Sequence, residues 1–356
     1  MPRLVALDAV GDAFVDALQR AWDAGDAVLP VDPRLPAPAR ATVLDAARLE
    51  DPVEPGDALV LATSGTSGEP KLAVLTHDAV AASARATCDR LAVDPATDRW
   101  LACLPLAHVG GLSVVTRALR TGTPCTIHER FDPVAVEAAA AAGCTLTSLV
   151  PTALLRVDAS RFRAVLLGGQ APPTDRPPHV IATYGMTETG SGIVYDGTAL
   201  EGVDVRIDEG GQILVRGPML LRAYRDGTDP KDRDGWFATG DLGRLDGTRL
   251  SVRGRASDLI ITGGENVWPA GVEAVLATHP GVHEVAVVGR PDPEWGQRVV
   301  ALVVPVDGAR PPTLDDLRRH AKDSLPAHAA PTALELLDAL PRTSSGKVRR
   351  VDLTSR

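Results

Sequence analysis

Apolar positions along this chain recur at two spacings. Residues 12–27 (DAFVDALQRAWDAGDA) carry them three to four apart, the mark of an amphipathic helix, and a Pro-rich connection, PVDPRLPAPAR, follows. DALVLATSGTSGEPKLAVLTH then reads as an apolar strand, a polar glycine loop and a second strand. Residues 133–143 (PVAVEAAAAAG) predict an Ala-rich helix that starts at Pro133 and stops at Gly143, and CTLTSLV after it is strand-like. RAVLLGG predicts another buried strand running into glycines. Strands alternating with helices predict an α/β domain with a largely parallel sheet, and ligands bind such sheets in the loops at the strand ends.

The pattern shifts at residue 202. Up to residue 253, short strands alternate with Gly and Asp turns (VDVRIDEGGQILVRG, GRLDGTRLSVRG), which predicts a small β-subdomain. Beyond it, WPAGVEAVLATHPGVHEVAVVG and TLDDLRRHAKDSLP alternate helix and strand again. The expected division is a large domain over 1–254, a junction at 255–258 and a small α+β domain over 259–356. No internal repeat or long low-complexity tract interrupts this order.

Composition narrows the function. The 356 residues are 44% hydrophobic and 23% charged, ordinary globular usage in an amount that suits two domains. A net charge of -9 argues against sequence-independent nucleic-acid binding, which needs a concentrated basic face. Asp8 arrives too early for the apolar stretch of a secretory signal, and no run approaches the roughly 18 apolar residues of a membrane span, so a cytoplasmic protein is expected. Cys88, Cys103, Cys125 and Cys144 form no Cys-x-x-Cys pair and read as reduced core residues. His279 and His283 stand four apart, but Pro280 and Gly281 between them favour a turn over a metal-binding helix face.

Candidate chemistry begins at Thr63-Ser64-Gly65-Thr66-Ser67-Gly68-Glu69-Pro70-Lys71, directly after an apolar strand. The glycines let backbone N–H groups approach an anion, the hydroxyls donate further hydrogen bonds, and Lys71 adds charge. The spacing is not that of a Walker A loop, and a surface turn would use the same residue types. The segment resembles the phosphate-binding signature of the acyl-adenylate-forming superfamily, which includes acyl-CoA synthetases, luciferases and adenylation domains.

Further segments follow in that superfamily's order. Tyr184-Gly185-Met186-Thr187-Glu188-Thr189 resembles its second nucleotide motif. The resemblance implies an aromatic ring on adenine, Thr187 at the α-phosphate and Glu188 as the Mg2+ ligand. A hard cation suits one carboxylate plus phosphate oxygens. Leu166-Leu167-Gly168-Gly169-Gln170 resembles the segment lining adenine, and Gly235-Trp236-Phe237-Ala238-Thr239-Gly240-Asp241 resembles the motif whose Asp binds the ribose hydroxyls. Arg253-Gly254-Arg255-Ala256-Ser257-Asp258 resembles the interdomain hinge, with Arg255 on ribose or phosphate and Ser257 where many relatives carry Asp or Lys. Gly263 and Gly264 are similar to the segment bordering the coenzyme A tunnel. Pro341-Arg342-Thr343-Ser344-Ser345-Gly346-Lys347 resembles the C-terminal signature whose lysine completes adenylation, although a basic tail would look the same in isolation. The phosphate loop begins at residue 63, earlier than in most relatives, so a shortened N-terminal region is expected.

The resemblance implies an ATP-dependent ligase that makes an acyl-adenylate from a carboxylic acid and passes the acyl group to coenzyme A. Leu104-Pro105-Leu106-Ala107-His108-Val109-Gly110-Gly111-Leu112 resembles the acid-pocket entrance of aryl-acid ligases, where His108 gates the pocket, touches the carboxylate or is simply structural. The hinge serine and SDLIITGGENVWP are most similar to the o-succinylbenzoate–CoA ligases of menaquinone biosynthesis. That substrate has a second carboxylate, for which Arg156 is the candidate partner and Ser191 an added hydroxyl. Other aryl or short-chain acid–CoA ligases, a carrier-protein-loading enzyme and a non-catalytic nucleotide-binding regulator are the alternatives. A homodimer stays open.

Overall fold

Short apolar runs separated by helix-forming segments give three sheets. In the computed structural model, which describes residues 1–63, 70–173, 175–342 and 348–354, the chain divides into two compact units. The first holds residues 1–206, 214–238 and 245–250; the second holds 207–213, 239–244 and 251–356. The strands Asp204–Ile207, Gln212–Arg216, Phe237–Asp246 and Arg249–Arg255 each give residues to both units, so the β-rich segment is divided between them.

In the first unit, the strands Leu4–Leu7, Ala27–Pro30 and Asp57–Thr63 run parallel, and Lys71–Thr76 and Ala223–Tyr224 extend this sheet antiparallel. The expected strand, loop and strand over residues 57–76 is thus present, with Thr63 facing Lys71 across the pair. The Pro-rich connection is not wholly irregular: Ala37–Ala47 is a helix, entered through Pro36 with Pro38 in its first turn, where a missing N–H has no intrahelical partner to lose.

A second sheet runs in the order Thr198–Ala199, Ser191–Tyr195, Val180–Met186, Ala164–Leu167, Leu146–Leu149, Trp100–Ala102 and Cys125–Ile127. Its last five strands are parallel, as the alternation predicts. The helix Pro133–Ala141 packs Val136, Ala139 and Ala140 with Leu149, Phe162 and Val165, a dry contact that fixes the crossover before Leu146–Leu149. The φ of +102° at Gly143 lets the chain leave that helix as glycine allows.

The second unit is a sheet ordered Glu265–Val267, Ile260–Thr262, Gly296–Pro305 and Val282–Asp292, with Ala333–Leu336 paired to Gly296–Pro305. Helices Pro269–Leu276 and Leu314–Lys322 cover it through Val272, Leu276 and Leu317. His279 closes the turn that leads to His283 in a strand, so the two do not share a helix face. Among the described residues no group of acidic, His and Cys side chains is arranged to hold a metal, and no helix is long and apolar enough to cross a membrane. All four cysteines are free; burial pushes the Cys103 thiol up to about 11 and that of Cys125 to about 12, so both are inert at neutral pH.

Candidate active site

The strand pair Asp57–Thr63 and Lys71–Thr76 presents Thr63 and Lys71 at the end that residues 64–70 connect. The expected phosphate-loop residues Ser64, Gly65, Thr66, Ser67 and Gly68, and Lys347 of the C-terminal signature, lie outside the described residues. Lys71 Nζ stands 5.3 Å from the centre of the Tyr224 ring, and the Tyr224 hydroxyl donates to Glu188 Oε1 at 3.1 Å. An ammonium, a phenol and a carboxylate from three distant segments therefore meet at this end of the sheet. Tyr224 is placed there by its own strand, in register with Ala73. Arg222, two residues earlier, anchors that strand with a two-pronged contact to the buried Asp57, 2.8 and 2.9 Å.

Glu188 sits in the one-turn 3-10 segment Thr187–Thr189, where the strand Val180–Met186 ends. Thr189 holds this turn: its hydroxyl accepts the Met186 N–H and packs against the Met186 and Ser191 carbonyls. Leu221 N–H donates to the Glu188 carbonyl at 2.8 Å and ties the turn to the segment that leads to Tyr224. Tyr184, Gly185 and Met186 precede it on the strand, and Thr183 Oγ1 donates to Leu167 O at 3.2 Å, which brings the LLGGQ segment beside them. Gly168 needs to be small, since a Cβ would approach Thr183 Oγ1 to 2.8 Å. Gly169 has φ +87° and Gln170 is exposed. At Gly185 a Cβ would collide with the backbone of Ser191 and Gly192, so close strand approach explains that glycine.

In the second unit Asp241 is buried and its Oδ1 pairs with Arg255 Nε at 3.0 Å, while Arg255 Nη1 donates to Thr239 O at 2.9 Å. Ser257 lies in the 3-10 turn Ala256–Asp258 and its hydroxyl donates to Asp258 at 3.3 Å. Gly263 and Gly264 have φ +58° and +83° and form the two-residue turn joining Ile260–Thr262 to Glu265–Val267, a conformation that favours glycine at both positions. The Trp295 ring packs against Gly263.

Of the acid-pocket candidates, His108 is half-buried at the residue preceding helix Val109–Thr121. Arg156 is exposed, with its guanidinium 5.3 Å from the Phe131 ring. Ser191 is buried at the start of Ser191–Tyr195, opposite Met186. Its hydroxyl accepts from Nη2 of Arg117, a residue that is only 2% exposed. Sequence reasoning missed Arg117 and Tyr224. The signal for Arg117 is a lone cation inside the apolar run GLSVVTRAL, where a helix buried from Gly111 to Ala118 has no solvated face for it.

Magnesium fits the donor set that is present. The Tyr224 hydrogen bond occupies one side of a single carboxylate oxygen of Glu188, and among the described residues Glu188 belongs to no group of three or more acidic, His or Cys side chains that could hold a metal by themselves. One carboxylate plus substrate phosphates is how Mg2+ is usually held, whereas Ca2+ and Zn2+ sites recruit more protein ligands.

Comparison with known proteins agrees with this geometry. The AMP-binding enzyme family model matches residues 46–225, and the model of the AMP-binding enzyme C-terminal domain matches residues 271–347. The chain is 39% identical to a probable 2-succinylbenzoate–CoA ligase of Mycobacterium tuberculosis, over 96% of this chain and 94% of that protein. It is 36% identical to an indoleacetate–CoA ligase of Aromatoleum aromaticum, over 99% of this chain and 77% of the other. Among solved structures, an o-succinylbenzoate CoA synthetase of Bacillus subtilis in complex with its acyl-adenylate intermediate superposes with a TM-score of 0.77 and 30% identity, covering 95% of this chain and 80% of that one.

Proposed function

Because this chain belongs to the AMP-binding enzyme family, we propose that it is an ATP-dependent acid–CoA ligase whose acid is 2-succinylbenzoate, acting in the cytoplasm in menaquinone biosynthesis. The observation that carries the reading is the convergence of Lys71, Tyr224 and Glu188 at the loop end of the strand pair, with Tyr184 on the strand that leads into the Glu188 turn. A triphosphate needs cationic and hydrogen-bonding groups together with one carboxylate for its cation, and this set supplies them.

In the first reaction a carboxylate oxygen of the acid forms a bond to the α-phosphorus and the bond to pyrophosphate breaks. Two anions must approach, so the protein's task is to offset their repulsion. Glu188 would hold Mg2+, which when bound neutralises phosphate charge. Thr187 and Lys71 donate to phosphate oxygens, Tyr184 covers the adenine beside Gly168 and Gly169, and Lys347 bridges the carboxylate and the α-phosphate. Asp241 takes the ribose hydroxyls with its two oxygens, sharing them with Arg255. In the second reaction the CoA thiolate attacks the acyl carbon and AMP leaves. We assign Ser257 to the hinge between large and small domains and the Gly263–Gly264 turn to the pantetheine path.

The test is CoA-thioester formation by the whole protein with ATP and Mg2+, comparing 2-succinylbenzoate with indoleacetate, benzoate, a fatty acid and acetate. Preference for 2-succinylbenzoate supports the reading. Preference for indoleacetate would keep the ligase chemistry and overturn the substrate, and adenylation without CoA transfer would point to a carrier protein as acceptor.

A further inference from the structure

Lys231 lies outside every segment that resembles a nucleotide motif, yet its ammonium is fully engaged within the first unit. Nζ donates to the carbonyls of Leu221 and Arg222, both at 2.8 Å, and pairs with Asp229 Oδ1 at 2.7 Å. An ammonium has three donors, so all of them are used. The residue's backbone is held too: its N–H donates to Asp229 Oδ1 at 3.0 Å, and it bridges Phe237 antiparallel.

What those two carbonyls belong to gives the contact its consequence. Leu221 is gripped at both polar ends: its N–H donates to the Glu188 carbonyl at 2.8 Å, and its own carbonyl accepts from Lys231. Three residues on, the Tyr224 hydroxyl donates to Glu188 Oε1. One short segment therefore touches both the main chain and the carboxylate of Glu188. The strand within it is only Ala223–Tyr224, too short to fix itself by ladder bonds. Arg222 forks onto Asp57, and Arg225 donates to the carbonyls of Ala47, Arg48, Asp51 and Pro52, which anchors the segment to the fold. The Leu221 carbonyl is left to Lys231. A cleft of about 540 Å3 lined by Leu221, Arg222 and Lys231 opens at this point, so water would reach both carbonyls if the ammonium were removed. Losing Lys231 would then loosen the segment without leaving a buried acceptor unpaired.

We infer that Lys231 is a positioning residue for Glu188: by holding the Leu221 and Arg222 carbonyls it fixes the 221–224 segment, whose Leu221 N–H and Tyr224 hydroxyl set the place and direction of the carboxylate. This rests on the ligase reading above and deepens it. A divalent ion of near-octahedral geometry held by one protein carboxylate and the phosphates is sensitive to how firmly that carboxylate is aimed. A purely structural lysine would instead lower stability and leave the metal–nucleotide step no more affected than the acid.

The experiment titrates the whole protein with Mn2+·ATP, without acid, by calorimetry in wild type, Lys231→Met, Lys231→Arg, Tyr224→Phe and the Lys231→Met/Tyr224→Phe double variant. Lys231→Met should weaken binding about fivefold, and Lys231→Arg should recover part of that. Because both residues act on Glu188 through one segment, the double variant should lose no more than about tenfold, short of the roughly 25-fold product of two independent effects. In turnover, the KM for the acid should stay within about twofold of wild type. Hydrogen exchange at the Leu221 amide should speed up in Lys231→Met. If that variant does not fold, Asp229→Ala decides: it removes the half-exposed acid that aims the ammonium and should weaken Mn2+·ATP about twofold. Unchanged Mn2+·ATP affinity in the variant that folds, or a fully multiplicative double variant, overturns the positioning role alone. A wild type that binds no Mn2+·ATP would sink the nucleotide reading, and the inference with it.

Discussion

Glu188 and Tyr224 are 36 residues apart and meet through one hydrogen bond of 3.1 Å. Replacing Glu188 by Gln should lower adenylation on the order of 100-fold, measured as pyrophosphate release, because the site loses its charge toward magnesium. Tyr224→Phe is expected to be milder. Losing one neutral-to-charged hydrogen bond should raise the Mg2+ concentration for half-maximal activity about fivefold with kcat little changed. Gly185 makes a contrasting prediction. An Ala there drives its Cβ into backbone that cannot yield, 2.6 Å from Gly192 Cα, so Gly185→Ala should destabilise by about 3 kcal/mol in urea unfolding, whatever it does to ATP binding. The glycine was legible in the sequence as part of a nucleotide motif; that its main constraint is the packing of two strands was not.

At the scale of elements, Asp98 ties the start of the parallel strands together. Burial pushes its carboxyl up, but Arg163, the Thr145 hydroxyl and the Asp94 N–H outweigh that and hold it below the usual range. A depressed folded pKa means that this stability is present above the unfolded value near 4 and is lost as pH falls through the folded one. Asp98→Asn should therefore cost about 2 kcal/mol at pH 7, discounted because Arg163 is partly exposed, and the difference from wild type in urea midpoints should shrink below about pH 4. In the second unit, helix Leu314–Lys322 opens with Thr313 and Asp316 capping each other's N–H groups. Thr313→Ala should lower thermal stability by about 1 kcal/mol and leave thioester formation unchanged. Helices and parallel strands were readable here from apolar spacing and from Pro, Thr and Gly at their ends. The helix Ala37–Ala47 was not, because its prolines read as a connection although two of them sit where a helix start tolerates them.

For the whole molecule, assigning Lys347 to adenylation and the Gly263–Gly264 turn to thioester formation makes a separable prediction about Lys347. Lys347→Ala should reduce pyrophosphate release by about 100-fold or more, while CoA-thioester formation from supplied acyl-adenylate stays within about threefold of wild type. Equal loss in both steps would show that the lysine serves the fold or the second reaction as well. The sequence by itself determined the α/β class, the order of the nucleotide segments and the chemistry expected of Glu188 and Lys71, because strand and helix periodicity and short polar motifs are local properties. Only the tertiary structure decided what meets those residues. Tyr224 reaches Glu188 through the pairing of its strand with Lys71–Thr76, and Arg117 reaches Ser191 across 74 residues through the packing of a helix on a sheet. Burial then changes the chemistry: Arg117 is withdrawn from water with its Nε and Nη1 without a hydrogen-bond partner among the described residues, where a surface guanidinium would be solvated. Sequence spacing carries no record of which side chains are withdrawn from water together, and that is what sets the character of this site.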